Sequence, residues 1–494
     1  MKKLIAFLLL PAFIAVCSWS CNNGDAGKTD GKVTDLPVTT KSKEAMASFQ
    51  EGLAAFDLND IEKARAAFGK AIEQDAGLGI AYLYMANTAT SAKEFADNVN
   101  TGKIKMDSAS NWEKMYGDYQ STNLSGDRNK GLEILQKIAA AYPDAARAQV
   151  DLGLGYSGNN QFDKARELFQ KAVQLSPKWV GGYATLSNSY LFNDPKDLKK
   201  AEENALKLVE LAPASPGAQI ALGDCYRAQN DFAKAKDAYA KAVQLNPSAS
   251  GAYYKEGHAN TYLGNYDDAR KNYADAGKYD VNKSASVLNT AYSYLYQGNK
   301  DSAMNCLMDA VMKTDTSAAV KSKAAGEKSN YLATAATIAV HYGDAASLKK
   351  LVPMILPLSE QISNDIGTAE SKIFAQADKL NWESQIAIAD GKYDEAKAKA
   401  EAMKTALDPI KDDRKLEGYH ALMGLISMKQ KNYADAITHF EKGDPNNIYT
   451  KYWQAMANEA AGNKDKAASL YKDVAAYNFN DVGNALVRSE VKKK

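Results

Sequence analysis

"QFDKARELFQKAVQLSP" fills residues 161–177 and "DFAKAKDAYAKAVQLNP" fills 231–247, with nine of seventeen positions identical. In each copy small and aromatic residues recur at helical spacing: Ala165, Phe169 and Ala172 in the first, Ala235, Tyr239 and Ala242 in the second. One stripe of each segment is therefore apolar while the opposite face carries Lys, Asp and Glu, as in an amphipathic helix. Further copies read DIEKARAAFGKAIEQDA (60–76), NYDDARKNYADAGKYDV (265–281), NKDSAMNCLMDAVMKTD (299–315) and NKDKAASLYKDVAAYNF (463–479). The marker alanines Ala165, Ala201, Ala235, Ala269 and Ala303 are 36, 34, 34 and 34 residues apart. A second helical segment fits between successive markers, so the unit is a helix pair and the chain is a stack of them.

The unit starting at Ala146 carries Leu152, Gly153, Tyr156, Ala165, Phe169, Ala172 and Pro177. The unit at Pro216 repeats the pattern with Leu222, Gly223, Tyr226, Ala235, Tyr239, Ala242 and Pro247. This pattern resembles the tetratricopeptide repeat (TPR). The resemblance implies an all-α, right-handed superhelical solenoid of about twelve antiparallel helix pairs with a C-terminal capping helix. Close approach of two helices requires small side chains, which places Gly153 opposite Ala165 and Ala172, with Tyr156 and Phe169 filling the gaps between pairs. Asn159–Asn160, Gln229–Asn230, Gly264–Asn265 and Gly298–Asn299 supply residues that tolerate the left-handed backbone ending a helix. Ser176–Pro177 and Asn246–Pro247 close the second helices.

Carried along the chain, the phase starts units near 45, 79, 112, 146, 180, 216, 250 and 284, with a two-residue insertion around Asn193–Lys196. Residues 44–317 are thus an N-terminal TPR solenoid and 318–376 are divergent helical pairs, including two apolar helices around Gly343–Asp344. Units return near 377, 417 and 448, so that 377–480 form C-terminal TPR units and 481–494 a capping helix. The stretches LPVTTKSKEAMASFQEG, AYLYMANTATSAKEF and VAAYNFNDVGNALVR also resemble a group of bacterial TPR proteins without an established activity.

The first twenty residues pair Lys2 and Lys3 with an apolar run from Leu4 to Val16, too short to span a bilayer and suited to a signal peptide. Small residues precede Cys21 and the chain then turns polar, which resembles the lipobox of bacterial lipoproteins, although Ser18 stands where Leu is usual. Cys21 is the expected lipidated residue, with Cys17 as the alternative. Residues 21–43 would form a flexible polar tether with a span of roughly 25 Å. The resemblance implies an exported, lipid-anchored protein of a bacterial cell envelope, on the periplasmic face or the outer-membrane surface. Loss of residues 1–20 removes Lys2 and Lys3 and no acid, leaving 59 basic side chains against 60 acidic ones. So neutral a chain has no electrostatic footprint for nucleic acid.

Catalytic and metal motifs are absent. GKT at 27–29 has Asn22 where a phosphate loop needs glycine. His258, His341, His420 and His439 stand at no metal-ligand spacing, and no nucleophile elbow or paired-cysteine motif occurs. Cys225 and Cys306 read as small apolar residues and not as a disulfide. Acid pairs such as Glu202–Glu203 and Asp412–Asp413 read as solvated surface. No cofactor is expected and no enzymatic activity.

What remains is the inner face. In TPR arrays the first helix of each pair lines a groove through about its second, fifth, ninth and twelfth or thirteenth positions. Carried over, those places are Asn188, Asp224, Arg227, Tyr254, His258, Tyr262 and Tyr292. Tyr254, His258 and Tyr262 also share one helical stripe by their four-residue spacing. The Lys/Asn/Arg clamp that holds C-terminal carboxylates in some TPR proteins is not reproduced. The expected function is a non-enzymatic scaffold that binds a protein or peptide partner in this groove. The alternative is a glycan-binding surface lipoprotein of the helical sugar-capture type.

Overall fold

The computed structural model describes residues 36–280, 282–315, 317 and 321–492. These residues form two compact units, one of 36–256 with 279 and 280, the other of 257–278 with 282–492. Every regular element among them is a helix. The N-terminal unit contains α1 (Lys43–Asp57), α2 (Ile61–Gln74), α3 (Gly79–Ala86), α4 (Ala92–Ile104), α5 (Asn111–Ser125), α6 (Arg128–Ala141), α7 (Ala146–Gly158), α8 (Phe162–Leu175), α9 (Val180–Phe192), α10 (Leu198–Leu211), α11 (Pro216–Ala228) and α12 (Phe232–Leu245). Helix α13 (Ser250–Leu263) begins in this unit and ends in the next. The C-terminal unit continues with α14 (Tyr266–Tyr279), α15 (Ser284–Tyr296), α16 (Lys300–Lys313), α17 (Lys321–His341), α18 (Ala345–Ile366), α19 (Ala369–Ala389), α20 (Tyr393–Ala406), α21 (Glu417–Lys429), α22 (Tyr433–Glu441), α23 (Ile448–Ala460), α24 (Lys464–Ala476) and α25 (Val482–Val491). Each helix from α2 to α12 packs on the one before it in the N-terminal unit, and each from α16 to α25 does so in the C-terminal unit, the arrangement of a helical solenoid.

The turn inside each pair explains why the copies recur. Asn59, Asn160 and Asn230 adopt left-handed φ angles of +56°, +58° and +64°. The next residues, Asp60 and Asp231, cap the second helices by accepting from the amides of Lys63 and Lys234. An Asn that tolerates the left-handed conformation ends one helix, and an Asp side chain satisfies an otherwise orphaned amide of the next. In the C-terminal unit Gly264, Gly298 and Gly343 take the first role, at φ +84°, +80° and +66°.

The marker alanines Ala165, Ala201, Ala235, Ala269 and Ala303 are all fully buried. The glycine of each pair packs differently from expectation. A Cβ on Gly153 would lie 2.4 Å from Phe169 Cε1 and one on Gly223 2.4 Å from Tyr239 Cε1, with Ala165 represented only by its carbonyl oxygen at 3.1 Å. The same contact recurs at Gly52 with Phe68, Gly257 with Tyr273 and Gly424 with Phe440. The aromatic ring therefore packs against the glycine of its own partner helix, and does not simply fill the gap to the next pair. Gly223→Ala should destabilise the protein by about 1–3 kcal/mol, because Tyr239 is fully buried and its ring has nowhere to move. A melting temperature equal to that of the parent would contradict this packing.

In the divergent stretch, α17, α18 and α19 run for 21, 22 and 21 residues. Gly343 and Asp344 form the turn between the two apolar helices, and Asp344 caps α18. The last helix, α25, packs on α24 and also on α15, α17 and α23. Its Val482, Leu486, Val487 and Val491 enter one core cluster with Ala291, Leu332 and Tyr452. Cys225 and Cys306 are free thiols. Asp412 departs from the expected solvated surface: it is 3% exposed and accepts from the Arg414 amide at 2.8 Å.

Candidate functional site

The first helices of the N-terminal unit carry Asp224 and Arg227 on α11. Both are buried, at 5% and 1% exposure, and they are engaged with the protein itself. Asp224 accepts from Tyr239 Oη at 2.6 Å and from Lys255 Nζ at 2.7 and 3.0 Å, and pairs with Arg227 at 3.2 Å. Burial pushes this carboxyl up, but Lys255 and Arg227 outweigh it and hold it below its ordinary value. The twin unit has Leu154 and Phe169 where this one has Asp224 and Tyr239. The added hydroxyl and the added carboxylate therefore answer one another across a single pair. This is an internal ion network, not a groove that a partner could reach.

Tyr254 Oη donates to Asp280 Oδ2 at 2.6 Å, also within the N-terminal unit. Asn188 on α9 is partly buried and makes no side-chain hydrogen bond to any described residue.

In the C-terminal unit the predicted residues face the chain's own C-terminal segment. His258 Nε2 lies 3.2 Å from Asn289 Oδ1, which accepts from Asn480 Nδ2 at 2.7 Å. Tyr262 Oη lies 3.2 Å from Tyr296 Oη and accepts from Asn484 Nδ2 at 3.0 Å. The Arg488 guanidinium sits 4.6 Å from the centre of the Tyr262 ring. Tyr292 is 5% exposed inside the core cluster. The residues leading into α25, and α25 itself, thus cover this inner face. Of the stripe Tyr254, His258 and Tyr262, the last two are consumed in that packing. Cys21 lies outside the described residues.

Sequence reasoning passed over the inner face of α5 and α7. Arg147, at the second place of α7, pairs with the fully buried Asp57 at 3.3 Å and stacks 5.6 Å from the Trp179 ring centre. One turn on, Asp151 is partly buried and accepts no hydrogen bond from a described residue. Its charge acts on Arg147 and on the hydroxyls of Tyr84, Tyr116 and Tyr119. The rings of Tyr84 and Tyr116 are stacked at 5.4 Å, and Tyr119 lies 5.7 Å from Tyr116. Burial pushes Asp151 up to about 6 against the pull of Arg147. Arg147 thus faces two carboxylates, Asp57 and Asp151. The neighbouring polar face is satisfied: Gln120 donates to Asn87 Oδ1 at 2.9 Å and to Tyr116 Oη at 3.2 Å. The available signal was the helical position itself, since the second place of α7 faces inward by the same rule that selected Asn188.

Tetratricopeptide repeat family models match residues 43–77, 146–179 and 216–249. No curated protein matches the chain in sequence. Among solved structures the chain is similar to YrrB, a TPR protein with an unusual peptide-binding site, at 20% identity over 37% of this chain and 92% of that one, with a TM-score of 0.27. It is also similar to the APC/C hetero-tetramer Cut9–Hcn1, at 14% identity over 87% and 76% of the two chains and a TM-score of 0.38. A tetratricopeptide repeat protein from Parabacteroides merdae aligns at 11% identity over 65% and 98%, with a TM-score of 0.35.

Proposed function

We propose that this tetratricopeptide-repeat chain is a lipid-anchored docking protein of a bacterial envelope, which binds a segment of a partner protein on the inner face of its N-terminal unit and carries out no chemistry of its own. Stacked helix pairs generate extended inner surfaces suited to binding. The observation that carries the reading is the pattern of satisfaction along that face. Asp224, Arg227 and Tyr254 are paired internally, whereas Asp151 and Asn188 are left without a hydrogen-bond partner among the described residues. Both are only partly buried, so their polar atoms stay open to the amides and cationic side chains of a bound chain segment. In the C-terminal unit the equivalent face is already covered by α25, which directs docking to the N-terminal unit.

Peptides selected from a displayed random library on the purified full-length protein test this. Asp151→Asn and Asn188→Ala should each weaken the selected peptides by about tenfold or more. Binding should also weaken as the pH falls below about 6, where Asp151 takes up a proton beside Arg147, Asp57 and the three tyrosines. Selection of no peptide, or of peptides indifferent to both substitutions, would sink the reading. The anchor is tested separately. Cys21→Ser should abolish incorporation of a labelled fatty acid and shift the protein to the soluble fraction.

A further inference from the structure

Two histidines that lie nineteen residues apart in sequence meet in the C-terminal unit. His420 stands near the start of α21 and His439 near the end of α22, and antiparallel pairing sets those helix ends side by side. Their Nδ1 atoms are 3.0 Å apart, with ring centres at 5.2 Å and planes inclined by 39°. Tyr419 presses edgewise on both rings, at 5.1 Å from His420 and 6.1 Å from His439, and fixes their orientation. Both imidazoles are partly buried.

A nitrogen–nitrogen separation of 3.0 Å falls in a telling range. With metal–nitrogen bonds of about 2.0–2.1 Å, two cis ligands of a square or octahedral ion lie about 2.9 Å apart, and two ligands of a tetrahedral ion about 3.3 Å apart. In the empty pair this contact is a hydrogen bond; turning each ring so that its Nδ1 lone pair lies about 45° off the nitrogen–nitrogen line aims both at one ion at this separation, without movement of either helix. We propose that His420 and His439 form a two-imidazole site for a borderline divalent transition-metal ion, Cu2+, Ni2+ or Zn2+, that clips α21 to α22.

The local chemistry agrees. Burial and the neighbouring charges of His439, Lys442 and Lys404 push His420 down to about 4, and burial lowers His439 as well, so at neutral pH both rings are in the neutral, ligating form. Asp435 and Glu401 oppose the repulsion of Lys442 and Lys397 at His439. In the empty pair only one proton can lie between the two Nδ1 atoms. On metal binding the ring that held it carries it on Nε2 instead, so no net proton is released. No group of three or more His, Cys, Asp or Glu able to hold a metal exists among the described residues, and water completes the coordination. This site does not depend on the docking reading, since it lies in the other unit.

The test uses untagged, full-length protein stripped with a chelator and titrated with Cu2+. Paramagnetic resonance should show one equivalent bound through two imidazole nitrogens, and Zn2+ should raise the melting temperature. His420→Gln and His439→Gln should each weaken Cu2+ by about tenfold or more and abolish the two-nitrogen signature. If either variant fails to fold, the wild-type spectrum decides alone: an oxygen-only signature, or no binding, overturns the proposal. So does a folded variant that binds with unchanged affinity and spectrum.

Discussion

Replacing Arg147 with Met is expected to cost about 3–5 kcal/mol, among the largest losses available from a single inner-face substitution. Asp57, with no exposed surface, is balanced by the Arg147 guanidinium at 3.3 Å. Met keeps most of the aliphatic stem that packs near Trp179, so the change removes charge and hydrogen bonds more than volume. What is left is a carboxylate in a low-dielectric interior without the guanidinium that balanced it. The double variant Arg147→Met, Asp57→Asn should recover most of the loss, because the desolvated charge is gone from both sides. Chemical denaturation of the single and double variants checks this. Equal destabilisation of the two would show that packing, and not charge, accounts for the effect.

The second large effect has the opposite sign. Asp378 on α19 is 2% exposed and accepts a hydrogen bond from Ser359 Oγ at 3.2 Å, while its Oδ1 accepts none. Burial pushes it up to about 7, against the weaker pull of Ser359 and Trp382. In the unfolded chain an aspartate titrates near 3.9. Between about 4 and 7 the folded protein therefore holds a proton that the unfolded chain has lost. Stability is full below the lower value and declines as the pH rises through the upper one. Asp378→Asn removes the ionisation and should stabilise the protein by about 2–4 kcal/mol at pH 8, with little change at pH 4. A variant no more stable than the parent at pH 8, or equally stabilised at both values, would show that Asp378 does not carry this cost.

Both residues show how legible the sequence is. The helix pairs were readable because their contacts are local. A ring at Phe169 meets a glycine at Gly153 sixteen positions earlier, and the pair after next repeats the contact at Tyr239 and Gly223. Such contacts leave a periodic trace that survives in a single chain, including the Asn that turns left-handed and the Asp that caps. Inner-face chemistry leaves no such trace. Asp224 and Asn188 occupy the same place in their units, yet one is buried under Lys255, Arg227 and Tyr239 and the other is unpartnered. The difference arises from neighbours in the same pair and in the next, whose identity the period does not constrain.

By itself the sequence determined an all-helical stack, the positions of its turns and the lack of any catalytic motif, since a 34-residue recurrence of small and aromatic residues admits one packing solution. The tertiary structure alone decided which inner faces are filled. Val482, Leu486 and Val487 are apolar enough to be buried, but only folding shows that they share a core cluster with Tyr292 while Asn484, on the same helix, donates to Tyr262. It also decided that His420 and His439 meet, because antiparallel helices bring together positions whose separation depends on turn length and helix end, not on any spacing a ligand motif would show. Local periodicity is written along the chain; adjacency across helices comes from packing.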